Sequence, residues 1–340
     1  MNNKYPKVNY IGNKERVASW IIESLPINSG TVLDLFCGGG SVSYELKKNG
    51  FSVISNDILY SSYVLSKAII ENDEQILNRE DYLNLNIEES EIEKKYNQLC
   101  FLSDKLYFDY EVKELAELCL IAEKLPEYKK YIFLALLRRA MIRKIPYSRM
   151  NIEWKEIKKL RDEDYSYKKY GRYRSYHNRT FINHINENLD AYNESVFYNG
   201  TKCKALQMDA LECVEHIEGH IDLIYMDPPY PSTMNEYVSF YGPFDQLFNC
   251  QKEVKTNLAD KKTFLDAFRE LVYAAARKTF YIAISINNKC SLSVDTLLSS
   301  FSPIIESYNV YKKEHAYKVT GKDNKHSNYE ILFVFKVKRG

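Results

Sequence analysis

Short apolar runs and amphipathic stretches alternate near both ends of the chain, while its middle is long, charged and helix-like. "TVLDLF" (31–36) is a run of strand length, "SVSYELKKNG" (41–50) has helical apolar spacing and stops at a glycine, and "FSVISND" (51–57) is again strand-like. Strand, glycine loop, helix and strand make a βαβ unit, so a parallel sheet covered by helices is expected. Further strands are expected at "CKALQMD" (203–209), "IDLIYMD" (221–227) and "FYIAISIN" (280–287). The spacing of "TFLDAFRELVYAAARK" (263–278) suits a helix lying against that sheet. Two C-terminal runs, "IIESYNVYKKEHAYKV" and "YEILFVFKV", flank the polar "GKDNKH" (321–326) and read as a hairpin.

Between about residues 70 and 190 the pattern changes to segments such as "YKKYIFLALLRRAMIRK" and "FINHINENLDAYNESVF". The α/β pattern resumes near residue 196. The expected fold class is therefore α/β, a doubly wound sheet formed by residues 1–70 and 196–340, with a mostly helical domain inserted at 71–195.

Charge sharpens this division. The net charge of the 340 residues is only +1, yet residues 138–179 hold fourteen Lys or Arg against five Asp or Glu. Residues 85–125 hold five basic residues against ten acidic ones. An AT-rich genome would enrich lysine and tyrosine throughout, but it does not explain clustered arginines. The 45% apolar and 27% charged content is that of a globular protein. No apolar run reaches the length of a membrane span, and "MNNKYPK" does not read as a signal peptide. Seven scattered cysteines without a CxxC pair suit reduced thiols in a cytoplasm and suggest no metal site.

Two local sequences carry the chemistry. "DLFCGGGSVS" places three glycines between a strand and a helix, where backbone can approach a ligand closely. The next strand ends in Asp57, placed to accept hydrogen bonds from ribose hydroxyls. The loop lacks both G-x-G-x-x-G and the G-K-[ST] of a phosphate-binding loop, so it suits a nucleoside without phosphates. S-adenosylmethionine is such a ligand. The second sequence is "DPPY" (227–230), where a buried strand stops at an acid, two prolines and a tyrosine. Consecutive prolines fix two φ angles and remove two donors, so the turn is stiff and its carbonyls are left to other partners.

Together with the N-terminal "YIGNKERVASWI", these motifs closely resemble the DNA adenine-N6 methyltransferases. Their order (cofactor loop, basic insertion, DPPY) is that of the Dam-like α group, and the resemblance covers nearly the whole chain. It implies a Rossmann-like methyltransferase sheet with an inserted target-recognition domain. It further implies a site-specific enzyme that takes a methyl group from S-adenosylmethionine and places it on N6 of a flipped adenine in double-stranded DNA.

The residue types suit that chemistry. Adenine's exocyclic amine is a poor nucleophile because its lone pair is delocalised into the ring. Acceptors on both amino hydrogens would localise that lone pair, and the Asp227 carboxylate and Pro228 carbonyl can supply them. Pro229 stiffens the turn, and the Tyr230 ring offers a face for stacking. Asp at the first position points to adenine, because the cytosine-N4 members usually carry Ser there. Cytosine-C5 chemistry needs a Pro-Cys nucleophile, and the chain has no such pair.

The resemblance places Tyr10, Lys14, Asp34, Phe36, Gly38, Gly40, Asp57, Asp209 and Asp227 around the cofactor. Tyr10 stands where many Dam-type members have Trp. A plain solvated lysine at 14 and a plain loop-starting acid at 209 are the competing readings. Asp34 is alternatively a partner of the glycine loop. In the insertion, "LLRRAMIRKIPYSRMN" and "YSYKKYGRYRSYHNRTF" mix arginine with tyrosine. Arg149, Arg172, Arg174, His177 and Asn178 are the expected DNA contacts, through phosphates or base edges. "LLRRAM" also reads as part of a core helix with snorkelling arginines, and "GKDNKH" is a further candidate for DNA contact. The implied setting is a bacterial or phage cytoplasm, with a cognate restriction endonuclease as partner or as a solitary methylase. An RNA adenine methyltransferase and an inactive DNA-binding protein of the same fold are the rival readings.

Overall fold

The computed structural model describes residues 3–230, 237–256, 258, 260–288, 290, 292–314 and 329–339. The candidate "GKDNKH" segment lies outside the described residues. The chain forms two compact units, one of residues 1–12, 59–198 and 238–251 and the other of 13–58, 199–237 and 252–340.

The second unit is built on a seven-stranded sheet. Its strands are β1 (Thr31–Asp34), β2 (Ser52–Asp57), β3 (Lys204–Gln207), β4 (Ile221–Met226), β5 (Thr279–Asn287), β6 (Ile305–Glu314) and β7 (Tyr329–Val337), in the order β3-β2-β1-β4-β5-β7-β6. Strands β1 to β5 pair in parallel, whereas β7 runs antiparallel between β5 and β6. The order reverses at β1, which has β2 on one side and β4 on the other, so a switch point opens at their carboxyl ends. This is the expected doubly wound α/β sheet. Helices Ser41–Lys48 and Phe264–Ala276 stand at their expected positions. The core of this unit brings Leu33, Ile224, Met226, Phe268, Ile282 and Phe333 together, all essentially inaccessible.

The first unit is helical. Its longest helix, Glu127–Lys144, is buried along most of its length. Arg138 and Arg139 on that helix are 1% and 6% exposed, so they do not snorkel to solvent. Arg138 donates to the Val8 carbonyl at 2.9 Å and lies over the Tyr10 and Tyr241 rings, which are themselves stacked 4.8 Å apart. Asp245 caps helix Tyr60–Ser66 by accepting from the Tyr60 and Ser61 amides at 2.8 and 2.9 Å. Among the described residues no helix is long and apolar enough to cross a membrane.

Candidate active site

The carboxyl ends of β2, β1 and β4 carry Asp57, Asp34 and Asp227 side by side. Register explains this: Asp34 pairs with Ser55 on β2 and with Tyr225 on β4, so all three strands end at the same edge. The glycine loop leaves β1 here. Gly38 and Gly40 have φ of 49° and 77°, left-handed values that a side chain would strain. Gly40 donates to the Cys37 carbonyl at 2.7 Å, and Gly38 donates to Asp57 Oδ2 at 2.9 Å. Asp57 therefore pins the loop with one carboxylate oxygen. A Cβ added at Gly40 meets no atom within 4 Å, so the loop faces open space at that point. Phe36, half-buried, packs on the sheet's core.

Asp34 is 1% exposed, and its Oδ2 accepts the Ser43 hydroxyl at 2.6 Å. Burial, the largest influence, and the charges of Asp227 and Asp57 together raise its pKa to about 7 against the opposing Ser43 hydrogen bond. Asp34 thus supports the start of helix Ser41–Lys48 and senses both neighbouring acids. Its Oδ1 is buried without a hydrogen-bond partner.

Asp227 follows β4 directly. Lys14 Nζ lies 2.8 Å from Asp227 Oδ2 and 3.4 Å from Glu330 Oε1. The Lys14 amide donates to Ser41 Oγ at 3.1 Å, which fixes the N-terminal motif to the same helix start as the glycine loop. Burial, the largest influence, and the Glu330 charge raise the Asp227 pKa to about 6 against the opposing Lys14 charge. Above about pH 6 Asp227 is therefore a carboxylate that can accept hydrogen bonds.

Pro228 is buried and Pro229 half-buried. Tyr230 is 6% exposed, its ring lies 6.4 Å from that of Phe264, and its hydroxyl donates to the Ser285 carbonyl on β5. The ring expected to present a stacking face is thus covered. Asp209 is similarly committed. Its Oδ1 accepts from the Leu211 amide and the Thr256 hydroxyl, and its Oδ2 accepts from the Lys255 and Thr256 amides at 3.0 and 2.8 Å. Those four donors make it a helix cap and a clamp on residues 255–256.

The remaining predicted residues belong to the helical unit. Tyr10 stacks on Tyr241. Arg149 lies over Phe240 at 5.6 Å, Arg172 is exposed, and Arg174 covers the Tyr170 ring at 4.2 Å. Asn178 Oδ1 accepts from Arg161 Nε at 3.1 Å. His177 differs from its expected surface position: it is 3% exposed, and its Nδ1 lies 2.8 Å from the Arg143 carbonyl. Burial, reinforced by the charges of Arg174, Arg161 and Arg143, pushes its pKa down to about 4.

Two residues of the site were not foreseen, Glu330 and Ser285. Glu330 is fully buried at the start of β7, and Ser285 Oγ donates to its Oε1 at 2.6 Å. The available signal was a single acid entering the otherwise apolar run "YEILFVF".

A doubly wound sheet with a glycine-rich loop after β1 and an acid–proline turn after β4 has the architecture of the Rossmann-like methyltransferases. Residues 10–319 match the family model of the D12 class N6 adenine-specific DNA methyltransferases, and the chain belongs to that family. It is 42% identical to the Type II methyltransferase M2.HphI of Haemophilus parahaemolyticus, over 98% of this chain and 99% of that protein. It is 25% identical to the Type II methyltransferase M.FokI of Planomicrobium okeanokoites and 24% identical to the modification methylase StsI of Streptococcus sanguinis, over 96% and 95% of this chain. The chain spans about half of each of those two proteins, 51% in both cases.

Proposed function

We propose that this adenine-specific DNA methyltransferase binds S-adenosylmethionine against the glycine loop and Asp57, and presents Asp227 to an adenine flipped out of duplex DNA. The observation that carries this reading is the placement of Asp57 and Asp227 on either side of Asp34, at the ends of three adjacent strands in register. One side of the β1 end then serves the cofactor and the other the base.

The loop fits the cofactor. Its left-handed glycines leave open space above Gly40, and Asp57 is an acceptor suited to ribose hydroxyls. Bound there, S-adenosylmethionine supplies an electrophilic methyl group on a sulfonium. The chain's own part is to orient and polarise the amine. The Asp227 carboxylate and the Pro228 carbonyl each take one amino hydrogen, which localises the nitrogen lone pair, and the double proline fixes their direction. Asp227 holds the amine during transfer and does not have to remove its proton first. The N–C bond would form as the sulfonium's S–C bond breaks to leave a neutral thioether, and the methylated amine would then release its proton. We assign Tyr230 to anchoring the turn on β5, and Asp209 to clamping residues 255–256.

In the helical unit, Arg149, Arg172, Arg174 and Asn178 are proposed to contact DNA, while His177 supports them from inside. The substrate is double-stranded DNA, and a Type II restriction-modification setting with a cognate endonuclease is proposed from the relatives' names. The seven cysteines are scattered without a CxxC pair, which suits a reducing cytoplasm.

The test is transfer of a labelled methyl group from S-adenosylmethionine to duplex DNA and, in parallel, to structured RNA. Label on adenine N6 of the duplex is expected, with Asp227→Asn lowering turnover about a hundredfold or more. Near-normal turnover of that variant, or label confined to RNA, would overturn the reading.

A further inference from the structure

We propose that Glu330 is a positioning residue for methyl transfer: its buried carboxylate competes with Asp227 for the Lys14 ammonium and so sets how much charge Asp227 keeps for the adenine amine. The proposal rests on the assignment of Asp227 given above and extends it to a strand that no motif of the family reading includes.

The geometry is that of one cation between two acids. Lys14 Nζ stands 2.8 Å from Asp227 and 3.4 Å from Glu330, with side-chain exposures of 8%, 19% and 0% respectively. A buried carboxylate gains from a nearby cation, and a lysine shared by two acids divides its charge between them. Glu330 is held in place from a second side. Ser285 Oγ donates to Oε1, the oxygen that also faces Lys14, and the Ser285 carbonyl receives the Tyr230 hydroxyl. The chain Asp227–Lys14–Glu330–Ser285–Tyr230 thus begins and ends within the DPPY turn.

This arrangement solves a problem in the proposed chemistry. An Asp227 locked in a lysine pair would be a weak acceptor, because the ammonium occupies one oxygen and withdraws its charge. With Glu330 present, Lys14 has a second counter-ion, so it can stay paired when the adenine amine arrives at Asp227. Glu330 also adds negative potential at Asp227, which raises that group's affinity for a proton. Among the described residues, the groups besides Glu330 that face Asp227 are Lys14 from the N-terminal segment, Asp34 at the end of β1, and Tyr225 and Tyr230 on either side of it in sequence.

Two substitutions push the balance in opposite directions. Glu330→Gln keeps the shape and the Ser285 hydrogen bond but removes the competing charge. Lys14 then no longer shares its charge with Glu330, so the acidic limb of kcat should move to lower pH, and kcat at pH 8 should fall roughly tenfold. Ser285→Ala removes a donor from Glu330 Oε1, which draws Lys14 towards Glu330 and should move the acidic limb to higher pH. KM for duplex DNA should stay within about twofold in both variants, because neither side chain touches the duplex in this scheme.

The experiment is the pH profile of kcat and KM for the wild-type enzyme, both variants and Glu330→Asp, with thermal unfolding to confirm folding. Opposite limb shifts in the two variants, with partial recovery in Glu330→Asp, are expected. Unmoved limbs, or a raised KM at constant kcat, would overturn the proposal. Should Glu330→Gln not fold, the direction of the Ser285→Ala shift decides alone. Asp227→Asn, assayed alongside, separates the two claims: activity in it sinks the reading of the site, whereas its inactivity with unmoved limbs elsewhere sinks only the role of Glu330.

Discussion

The Glu111 carboxylate takes both terminal nitrogens of Arg161, at 2.8 and 2.7 Å, in a pair that is almost wholly buried. Lys144 adds its ammonium at 2.7 Å and also donates to the Arg179 carbonyl. One acid on helix Asp109–Lys124 therefore ties down the end of helix Trp154–Arg161, and Lys144, paired with the same acid, holds the far end of the arginine–tyrosine segment at Arg179. Glu111→Ala would leave two buried cations without their counter-ion. We expect a loss of about 3–5 kcal/mol in denaturant unfolding, together with faster proteolysis within residues 145–180. A loss no larger than that of an exposed Glu→Ala change would contradict this role.

The two units should respond oppositely to acid. In the helical unit burial pushes His177 and His184 down to about 4, below the unfolded value near 6.5. Their contribution is present above pH 6.5 and is lost as pH falls from there through 4. In the sheet unit Asp34 is raised to about 7 and Asp227 to about 6, above the unfolded value near 3.9. Their stabilising contribution is present below that unfolded value and is lost as pH rises through 6 and 7. Hydrogen exchange, corrected for intrinsic rates, should show the helical unit loosening and the sheet unit tightening between pH 7.5 and 5. A common direction in both units would refute the assignment.

Tyr230 distinguishes anchoring from stacking. Tyr230→Phe keeps the ring and removes the hydroxyl that donates to the Ser285 carbonyl. If the hydroxyl positions the turn, kcat should drop by roughly fivefold, equivalent to about 1 kcal/mol for one hydrogen bond, with KM for DNA little changed. Wild-type kcat in that variant would return the tyrosine to a purely aromatic role.

Gly30 has φ +118°, and a Cβ there would sit 2.4 Å from Asp222 Oδ2, the oxygen that accepts the Thr31 amide at 2.7 Å. Gly30→Ala meets both a disfavoured backbone and a clash at the start of β1. We expect it to cost about 2–4 kcal/mol in chemical denaturation, well beyond Gly50→Ala, where the added Cβ meets open space.

Exposure separates the candidate DNA contacts. Arg172 is exposed, so Arg172→Ala should weaken binding and make the slope of log affinity against log salt shallower by about one. His177→Asn should instead lower the unfolding midpoint and leave that slope unchanged, because the ring is interior. Fluorescence anisotropy on a duplex at several salt concentrations reads both.

The strands around the switch point were legible because short apolar runs and a glycine loop are local signals, as was the acid that ends β4. Glu330 was not, because its partner Lys14 comes from the other end of the chain and one polar residue in a strand looks incidental. The hairpin reading anticipated the β6–β7 pair but not that β7 is the neighbour of β5. Arginine density suggested a basic surface, whereas Arg138, Arg139 and Arg161 are interior, a distinction that charge counting cannot make. Helix Tyr237–Leu247 was missed because Gly242 and Pro243 lie within it, two residues that normally argue against a helix.

The place of β7 has a consequence for how the protein is made. It leaves the ribosome after β6 but must slot in between β6 and β5. Until it arrives, the growing sheet shows an open edge along β5, β6 has no strand to join, and Lys14 lacks its contact with Glu330. A newly begun polypeptide of this kind is therefore sticky before it is competent, and a cell would gain from chaperones that cover that edge until β7 has left the ribosome.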